Sequence, residues 1–317
     1  MQLRDSDHLR RRLAPARPSA PDNGAIRLRD ADAPFDARFS IAGRRSSALR
    51  VCAVRCETSG VSTDLRLAFQ LADIADAITL KSWSPSGIRS TTKADGSPVT
   101  EADIAAEQAM RTHLLASCPD DGFVGEEIGE IIGTSGRRWI VDGIDGTRFF
   151  VTGQRTWGTL IALELEGAVL VGVSSSPVEQ RRWWATRGGG TFASHAVNGS
   201  AAVRLRVSRS RAVRPDRVAT LPGFDRMAAD QQHIIEGLLG APASDRTWSH
   251  QNQVASGDLD ACIWFGGDQW DHAAPSILVE EAGGRFTNHQ GTHRLDTRSA
   301  IYSNGLIHDD ILTALTH

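Results

Sequence analysis

Two aspartates three residues apart follow a short apolar run, and this segment constrains the chain more than any other. The strand-like run Trp139–Val141 leads directly into Asp142–Thr147, whose sequence is Asp-Gly-Ile-Asp-Gly-Thr. Carboxylates as close as those of Asp142 and Asp145 repel each other unless a cation lies between them. Oxygen ligands without a nearby His or Cys favour Mg²⁺, and the glycine after each aspartate lets the backbone approach a ligand closely. Taken alone, the segment is more often a solvated Asp-Gly turn, so its meaning depends on the rest of the chain.

Two further acidic sites lie at the boundaries of predicted elements. Glu126 and Glu127 follow a strand-like pair of residues. Asp271 precedes His272–Ala282, a segment that predicts a helix closed by the glycines at positions 283 and 284. These carboxylates join the two aspartates above as candidate functional groups.

Two amphipathic helices precede these motifs. The first has apolar residues at helical spacing from Leu65 onwards, with Thr63 or Asp64 as its predicted N-cap. Thr100 is the predicted N-cap of the second helix, and Asp103 stands three residues later in the capping-box position. Asp103 is therefore a fourth acidic site at an element boundary.

Other patterns have structural interpretations. Residues 157–165 and 168–174 predict a β-hairpin, and Arg187–Gly189 predicts the turn of a second hairpin. The glycines of that turn lack the Lys-Ser/Thr of a phosphate-binding P-loop. Asp73 and Asp76 are expected on the solvated face of the first helix.

Composition excludes several classes of protein. The chain has 317 residues, 40% of them hydrophobic, and a formal net charge of −3, which describes an ordinary globular protein with no general reason to bind nucleic acid. No apolar run approaches the roughly 18 residues that a membrane span requires. Four scattered cysteines give neither a disulfide framework nor a zinc site, which favours the cytoplasm.

Residues 1–62 differ from the remainder. They are rich in Arg, Ala, Ser, Pro and Asp and show no persistent helical or strand period. We expect a disordered or untranslated extension, with Val61 as a candidate start position encoded by GTG. The intact mass of the native protein tests this expectation, because residues before Val61 would contradict it.

The motifs, in this order, resemble those of the inositol monophosphatase family over about residues 63–315. The segments that carry the resemblance are Ser97–Asp103, Gly125–Glu127, Asp142–Thr147, Trp270–Ala274 and Glu281–Gly284. The resemblance implies a layered αβαβα sandwich of the α/β (α+β) class. It also implies a metal-loop half at 63–200 and a pocket-closing half at 201–317. The resemblance further implies a homodimer and a small phosphorylated substrate.

Roles of individual residues are also implied by this resemblance. Asp103 and Thr147 match the pair that orients and helps to deprotonate the attacking water, with Glu126 as a further catalytic residue. The amides of Gly146 and Thr147 match a phosphate cradle at a helix N-terminus, and Glu127 matches a supporting carboxylate. The metal ligands implied for two or three Mg²⁺ ions are Glu126, Asp142, Ile144 through its carbonyl, Asp145 and Asp271. The chemistry implied is direct attack of metal-activated water on phosphorus, without a covalent enzyme intermediate.

The substrate is less constrained than the reaction. Trp157–Leu163 and Gln180–Ala185 resemble bacterial histidinol-phosphate phosphatases, so L-histidinol phosphate, from histidine biosynthesis, is the leading expectation. Its ammonium group requires a carboxylate, for which Asp268 or Asp258 are candidates. Trp264 stands where inositol phosphatases have a glutamate for the sugar hydroxyls, which disfavours inositol phosphate without excluding it.

Alternatives remain open at this point. With Asp271, Trp264 and His250 are the candidate substrate contacts, and Trp264 is able to stack on a base. A phosphatase for a nucleoside or amino-sugar monophosphate is therefore a competing interpretation. A non-catalytic relative that binds a phosphate ligand or a protein partner is the alternative from another class. Gly143 also departs from the family pattern, because it replaces a proline in the metal loop.

Overall fold

The computed structural model describes residues 62–94, 96–196, 200–240 and 249–316, which contain seven α-helices and fourteen strands. Of the predicted extension at 1–62, only Ser62 lies among the described residues. The helices are α1 (Thr63–Ser82), α2 (Glu101–Ser117), α3 (Thr147–Val151), α4 (Ala229–Leu239), α5 (His250–Ser256), α6 (Gln269–Glu281) and α7 (His308–Thr316). The strands are β1 (Thr91–Thr92), β2 (Pro98–Val99), β3 (Gly122–Gly125), β4 (Gly129–Ile131), β5 (Arg137–Asp145), β6 (Gly158–Leu165), β7 (Ala168–Ser176), β8 (Arg181–Thr186), β9 (Gly190–Ser194), β10 (Val203–Arg204), β11 (Val218–Leu221), β12 (Ala261–Trp264), β13 (Arg285–Thr287) and β14 (Ala300–Ser303).

The first sheet has eight strands in the order β10-β9-β8-β7-β6-β5-β3-β4. Side chains of β5 alternate between its two faces, as strand geometry requires. Trp139 and Val141 pack with apolar residues of α1 and α2, whereas Ile140 packs with residues of α6. The sheet therefore lies between the α1–α2 layer and the α6 layer.

The second sheet has four strands in the order β11-β12-β14-β13. On one face, Cys262 and Tyr302 belong to the core shared with α6. On the other face, Ile263 and Ile301 pack with residues of α4 and α7. The five layers confirm the predicted αβαβα sandwich. Among the described residues, no helix is long and apolar enough to cross a membrane.

Helix starts agree with the capping signals except at α1. Thr100 and Asp103 form the predicted capping box, in which the carboxylate accepts the Thr100 backbone N–H at 2.9 Å. The prediction of Thr63 or Asp64 as the first N-cap is wrong, because Ser62 accepts the Leu65 backbone N–H at 3.2 Å. A serine hydroxyl caps a helix as effectively as the side chains of threonine and aspartate. The extended backbone of Ser62 therefore decides which residue is the N-cap.

Two other elements are longer than predicted. Strand β5 continues past Val141 to Asp145, and its pairing with β6 shifts between Asp142 and Asp145. Such an irregularity bends a strand and redirects its side chains. Helix α6 begins at Gln269, not at His272, because Asp268 is its N-cap. Both extensions bring predicted metal ligands onto regular elements.

The expectation that Asp76 lies on the solvated face of the first helix is wrong, because this residue pairs with a buried arginine. Asp76 is buried, and its Oδ2 lies 2.7 Å from both a guanidinium nitrogen of Arg182 and the Ser175 hydroxyl, which donates to it. The Arg182 side chain is fully buried, and its second contact is the exposed Asp73 at 2.9 Å. The apolar pattern missed this pair because Arg182 lies about a hundred residues away, on β8.

Replacing this arginine is expected to destabilise the fold strongly. Arg182→Met leaves Asp76 buried without its counter-ion, which costs about 3–5 kcal/mol in the free energy of unfolding. The matched change Asp73→Asn removes an exposed partner and should cost at most about 1 kcal/mol. Urea unfolding monitored by circular dichroism measures both. Equal losses for the two variants would show that the buried pair contributes no more than a surface pair.

Candidate active site

Three aspartates meet where β5 ends and α6 begins. Asp142 and Asp145 lie on the irregular end of β5, and Asp271 lies in the first turn of α6. Each contributes a carboxylate oxygen, and the three oxygens lie within 4.8 Å of one another. The sequence predicts these aspartates on separate elements, and the layering of the fold brings those elements together.

The electrostatics of this cluster favour a cation. Burial raises the pKa of Asp142 and Asp145 well above the ordinary value, and the charges of Glu126 and Asp271 raise it further. A hydrogen bond from the Gly146 backbone opposes the effect at Asp145. Burial also raises the pKa of Asp271, to about 7. A divalent cation would remove the repulsion, and an all-oxygen set of this kind fits Mg²⁺.

Glu126 and Glu127 follow β3 and share one lysine. The Lys93 ammonium lies 2.7 Å from Glu126 and 2.5 Å from Glu127. Burial opposes protonation of Lys93, but the two hydrogen bonds raise its pKa above the ordinary value. The sequence reasoning missed this residue, although it is one of only two lysines in the chain.

Glu107 is a second residue that the sequence reasoning missed. It is fully buried, and its Oε2 accepts the backbone N–H groups of Glu127 at 3.0 Å and Ile128 at 3.1 Å. Burial raises its pKa to about 7. Its signal was available, because it follows Asp103 by four residues on one face of α2. Glu107 thus fixes the turn that presents Glu126.

The predicted water-orienting pair is in contact. The Thr147 hydroxyl lies 3.3 Å from Asp103 Oδ1 and 2.9 Å from the Ile144 carbonyl. Its single proton faces these two acceptors, which leaves the oxygen lone pairs free to accept from a water. Burial raises the pKa of Asp103 to about 6, against two hydrogen bonds from Thr100. Gly146 precedes α3 at φ +81°, a left-handed conformation that suits glycine.

A pocket of about 520 Å³ opens beside the cluster. Trp264 lines it together with Gly146 and Thr147, and its contact with substrate stays a prediction. His250 does not line it, because α5 packs on α6 and buries this side chain; its role stays a prediction. The lining residues outside the cluster are Gly96, Ser97, Pro98, Glu126, Gly146, Thr147, Arg148, Phe149, Leu221, Pro222, Arg226 and Trp264.

The two carboxylates proposed for an ammonium group are engaged elsewhere. Asp268 accepts a hydrogen bond from Arg298 at 2.7 Å, and Asp258 accepts one from Ser256 after the end of α5. Neither lines the pocket. The described lining residues instead include two arginines, Arg148 and Arg226.

The raised pKa values predict an unusual pH dependence of stability in EDTA. Asp103 and Asp271 have folded pKa values of about 6 and about 7, above the ordinary 3.8. Their protonation therefore stabilises the fold fully below about pH 4, and this contribution is lost as pH rises through 6 and 7. The Tm in EDTA should fall between pH 5 and pH 8. Excess Mg²⁺ should reverse the trend, because it binds only the ionised carboxylates. A Tm that is constant or rises with pH in EDTA would contradict this account.

The layered fold and its carboxylate cluster place the chain among the phosphoric monoester hydrolases. It belongs to the inositol monophosphatase family, whose model matches residues 61–317. Members of this family depend on Mg²⁺ and act on small phosphorylated substrates.

Individual relatives cover most of the chain. The protein named histidinol-phosphatase in Mycobacterium tuberculosis is 41% identical over 257 residues, which are 80% of this chain and 97% of the relative. The inositol-1-monophosphatase of Caulobacter vibrioides is 32% identical, over 68% and 86% of the two chains. Among solved structures, the extragenic suppressor protein suhB of Bartonella henselae has a TM-score of 0.70 at 28% identity. That match covers 80% of this chain and 98% of the other.

Proposed function

We propose that this protein is an Mg²⁺-dependent phosphomonoesterase that hydrolyses L-histidinol phosphate by direct attack of water on phosphorus. The observation that carries the reaction is the grouping of three aspartates, one buried and two half-buried, with the Thr147–Asp103 pair beside a pocket that Asp145 and Thr147 line. No covalent nucleophile is required, since the pair itself orients a water.

The chain offers a fitting set of Mg²⁺ ligands. The cluster contains only oxygen donors, its raised pKa values reflect burial and the mutual repulsion that a cation relieves, and Glu126 lies beside it. When bound, Mg²⁺ lowers the pKa of water and neutralises charge on the phosphate and the leaving oxygen. The residues that would hold two or three ions are Glu126, Asp142, Asp145, Asp271 and the carbonyl of Ile144.

Residues around the cluster have distinct tasks. Thr147 accepts a hydrogen bond from the attacking water. Its hydroxyl in turn donates a hydrogen bond to the carboxylate of Asp103. The backbone amides of Gly146 and Thr147 are the groups proposed to bind the phosphate oxygens. Glu107 keeps the Glu126 turn in place, and Glu127 shares the Lys93 ammonium with Glu126.

The substrate proposal rests on the relatives. Those named histidinol-phosphatase are 41% identical in Mycobacterium tuberculosis and 38% in Streptomyces coelicolor, over 80% and 78% of this chain. Trp264 and Phe149 give the pocket aromatic surface that suits an imidazole ring.

One observation favours a nucleoside monophosphate as the second candidate. The described lining provides Arg148 and Arg226 but no carboxylate beyond Glu126 and the cluster. Arginine and aromatic surfaces suit a base and an anionic group better than an ammonium group. An amino-sugar or inositol phosphate remains a further alternative.

Several finer points belong to the same proposal. We propose a homodimer that acts in the cytoplasm, on the strength of the family resemblance and the cysteine pattern. The division into a metal-loop half at 63–200 and a pocket-closing half at 201–317 is also proposed. The change from the first sheet to the second falls close to this boundary, between β10 at Val203–Arg204 and β11 at Val218–Leu221.

A panel of phosphate esters tests the substrate. Phosphate release by the full chain in Mg²⁺ is measured with L-histidinol phosphate, AMP, glucosamine 6-phosphate and myo-inositol 1-phosphate. We expect kcat/KM to be at least about tenfold higher for histidinol phosphate than for the other esters, because one well-placed group in the pocket provides discrimination of this size. A preference for AMP would favour the nucleotide alternative. No release from any ester would contradict the enzyme itself.

A further inference from the structure

His272 follows the proposed metal ligand Asp271, but its side chain has other contacts. The imidazole is fully buried, with Nδ1 2.9 Å from the Tyr302 hydroxyl and Nε2 3.1 Å from the Gly266 carbonyl. Its ring meets the Trp264 indole edge-to-face, with the ring centres 5.0 Å apart. His272 thus joins the middle of β14, the turn before α6 and the wall of the pocket.

These contacts fix the tautomer of His272. A carbonyl oxygen only accepts hydrogen bonds, so Nε2 carries the proton that is donated to Gly266. Neither partner is charged, and burial of an unpaired imidazolium is costly, so the ring is neutral. Nδ1 therefore accepts from the Tyr302 hydroxyl. Both polar atoms of the ring are used within the protein, which leaves none for substrate.

The turn that His272 contacts is tightly packed against the imidazole ring. A Cβ on Gly267 would lie 2.7 Å from the imidazole Cε1, so the ring packs directly against this backbone at φ +77°. The turn connects Trp264, the last residue of β12, to Asp268, the N-cap of α6. His272 contacts both the turn and the indole. A change in the shape of the His272 side chain would therefore move Trp264.

We propose that His272 is a positioning residue for substrate specificity: it holds the Trp264 indole as a wall for a planar ring in the leaving alcohol. The inference rests on the proposed function, in which Trp264 contacts the substrate. It extends that function to a class of ester, one whose alcohol carries a flat aromatic ring. The residue acts through Trp264 and does not touch the reacting phosphate.

Kinetics with two kinds of ester test the role. L-histidinol phosphate and p-nitrophenyl phosphate carry a planar ring, whereas glycerol 2-phosphate carries none. His272→Leu should raise KM for both ring esters about five- to tenfold, which corresponds to the free energy of one edge-to-face aromatic contact. The kcat of the variant should stay within about threefold of the wild-type value. KM for glycerol 2-phosphate should stay unchanged. The matched variant His113→Leu alters a half-buried histidine on α2 that does not line the pocket, and it should change none of these constants.

Two further variants complete the experiment. Tyr302→Phe removes one hydrogen bond to His272 without changing shape, so KM for the ring esters should rise about twofold to threefold. This variant carries the test if His272→Leu does not fold. Combining His272→Leu with Trp264→Leu should be no worse than Trp264→Leu alone, because both act on one contact.

Each contrary result has a separate meaning. An unchanged KM for both ring esters would overturn the role of His272, even if histidinol phosphate proves to be the preferred substrate. An equal fall in kcat for all three esters would also overturn it, since His272 would then act on the metal-binding end. If wild-type protein cleaves only p-nitrophenyl phosphate among the ring esters and its KM responds as expected, the inference stands and the histidinol phosphate proposal fails.

Discussion

Asp142→Asn is expected to lower phosphate release by about 1,000-fold or more, the loss of roughly 4 kcal/mol of transition-state stabilisation. Asp142 is almost fully buried, and its Oδ1 accepts the Ile144 backbone N–H at 2.9 Å. An asparagine oxygen can accept the same hydrogen bond, so the backbone of the loop should be kept. What is lost is one negative charge from the set that holds Mg²⁺. Steady-state phosphate release at saturating Mg²⁺ measures the effect.

The same substitution should affect stability in the opposite direction. In EDTA, the charge of Asp142 repels those of Asp145 and Asp271, so the neutral variant should have a Tm equal to or above that of wild type. Added Mg²⁺ should raise the Tm of wild type and have little effect on the variant. Asp216→Asn, at an exposed aspartate outside the cluster, is the matched control and should leave both activity and Tm unchanged. Full activity in Asp142→Asn would contradict the assignment of the cluster.

Thr147→Val should lower kcat by about 100-fold, the usual contribution of one positioned proton-transfer group. Valine has nearly the shape of threonine but neither accepts from a water nor donates to Asp103. The effect should fall on kcat and leave KM nearly unchanged, because the lost interaction forms with the attacking water and not with the leaving alcohol. The measurement is phosphate release over a range of substrate concentrations.

The threonine that caps the C-terminus of the same short helix provides the control. The Thr152 hydroxyl donates to the Arg148 carbonyl at 2.8 Å and is exposed, so Thr152→Val should leave kcat within about twofold. Asp103→Asn should resemble Thr147→Val, and the double variant should be little worse than either alone because the two residues act as a unit. Additive losses in the double variant would show that the pair does not work together.

The site was predictable from sequence where its signals are local. The Asp142–Thr147 turn and the Thr100–Asp103 capping box each depend on neighbouring residues. The family resemblance supplied the layered fold and the order of the motifs. Only the layering of helices against both sheets then brings Asp271 to the two aspartates of β5.

Contacts between distant segments could not be predicted in this way. Asp76 was expected in solvent, because nothing in α1 indicates an arginine that arrives from β8. Lys93 lies in a polar turn, and only the fold shows that it reaches Glu126. Likewise, the sequence does not show that His272 reaches Tyr302 and the Gly266 carbonyl through its two hydrogen bonds.

The most direct test of the central claim is phosphate release by the full chain during a titration with Mg²⁺ after removal of metal by EDTA. The account predicts no release from L-histidinol phosphate or p-nitrophenyl phosphate in EDTA, saturable recovery with Mg²⁺, and no recovery in Asp142→Asn at the same concentrations. Release in EDTA at the rate seen with Mg²⁺, or full recovery in the variant, would show that the carboxylate cluster is not the catalytic metal site.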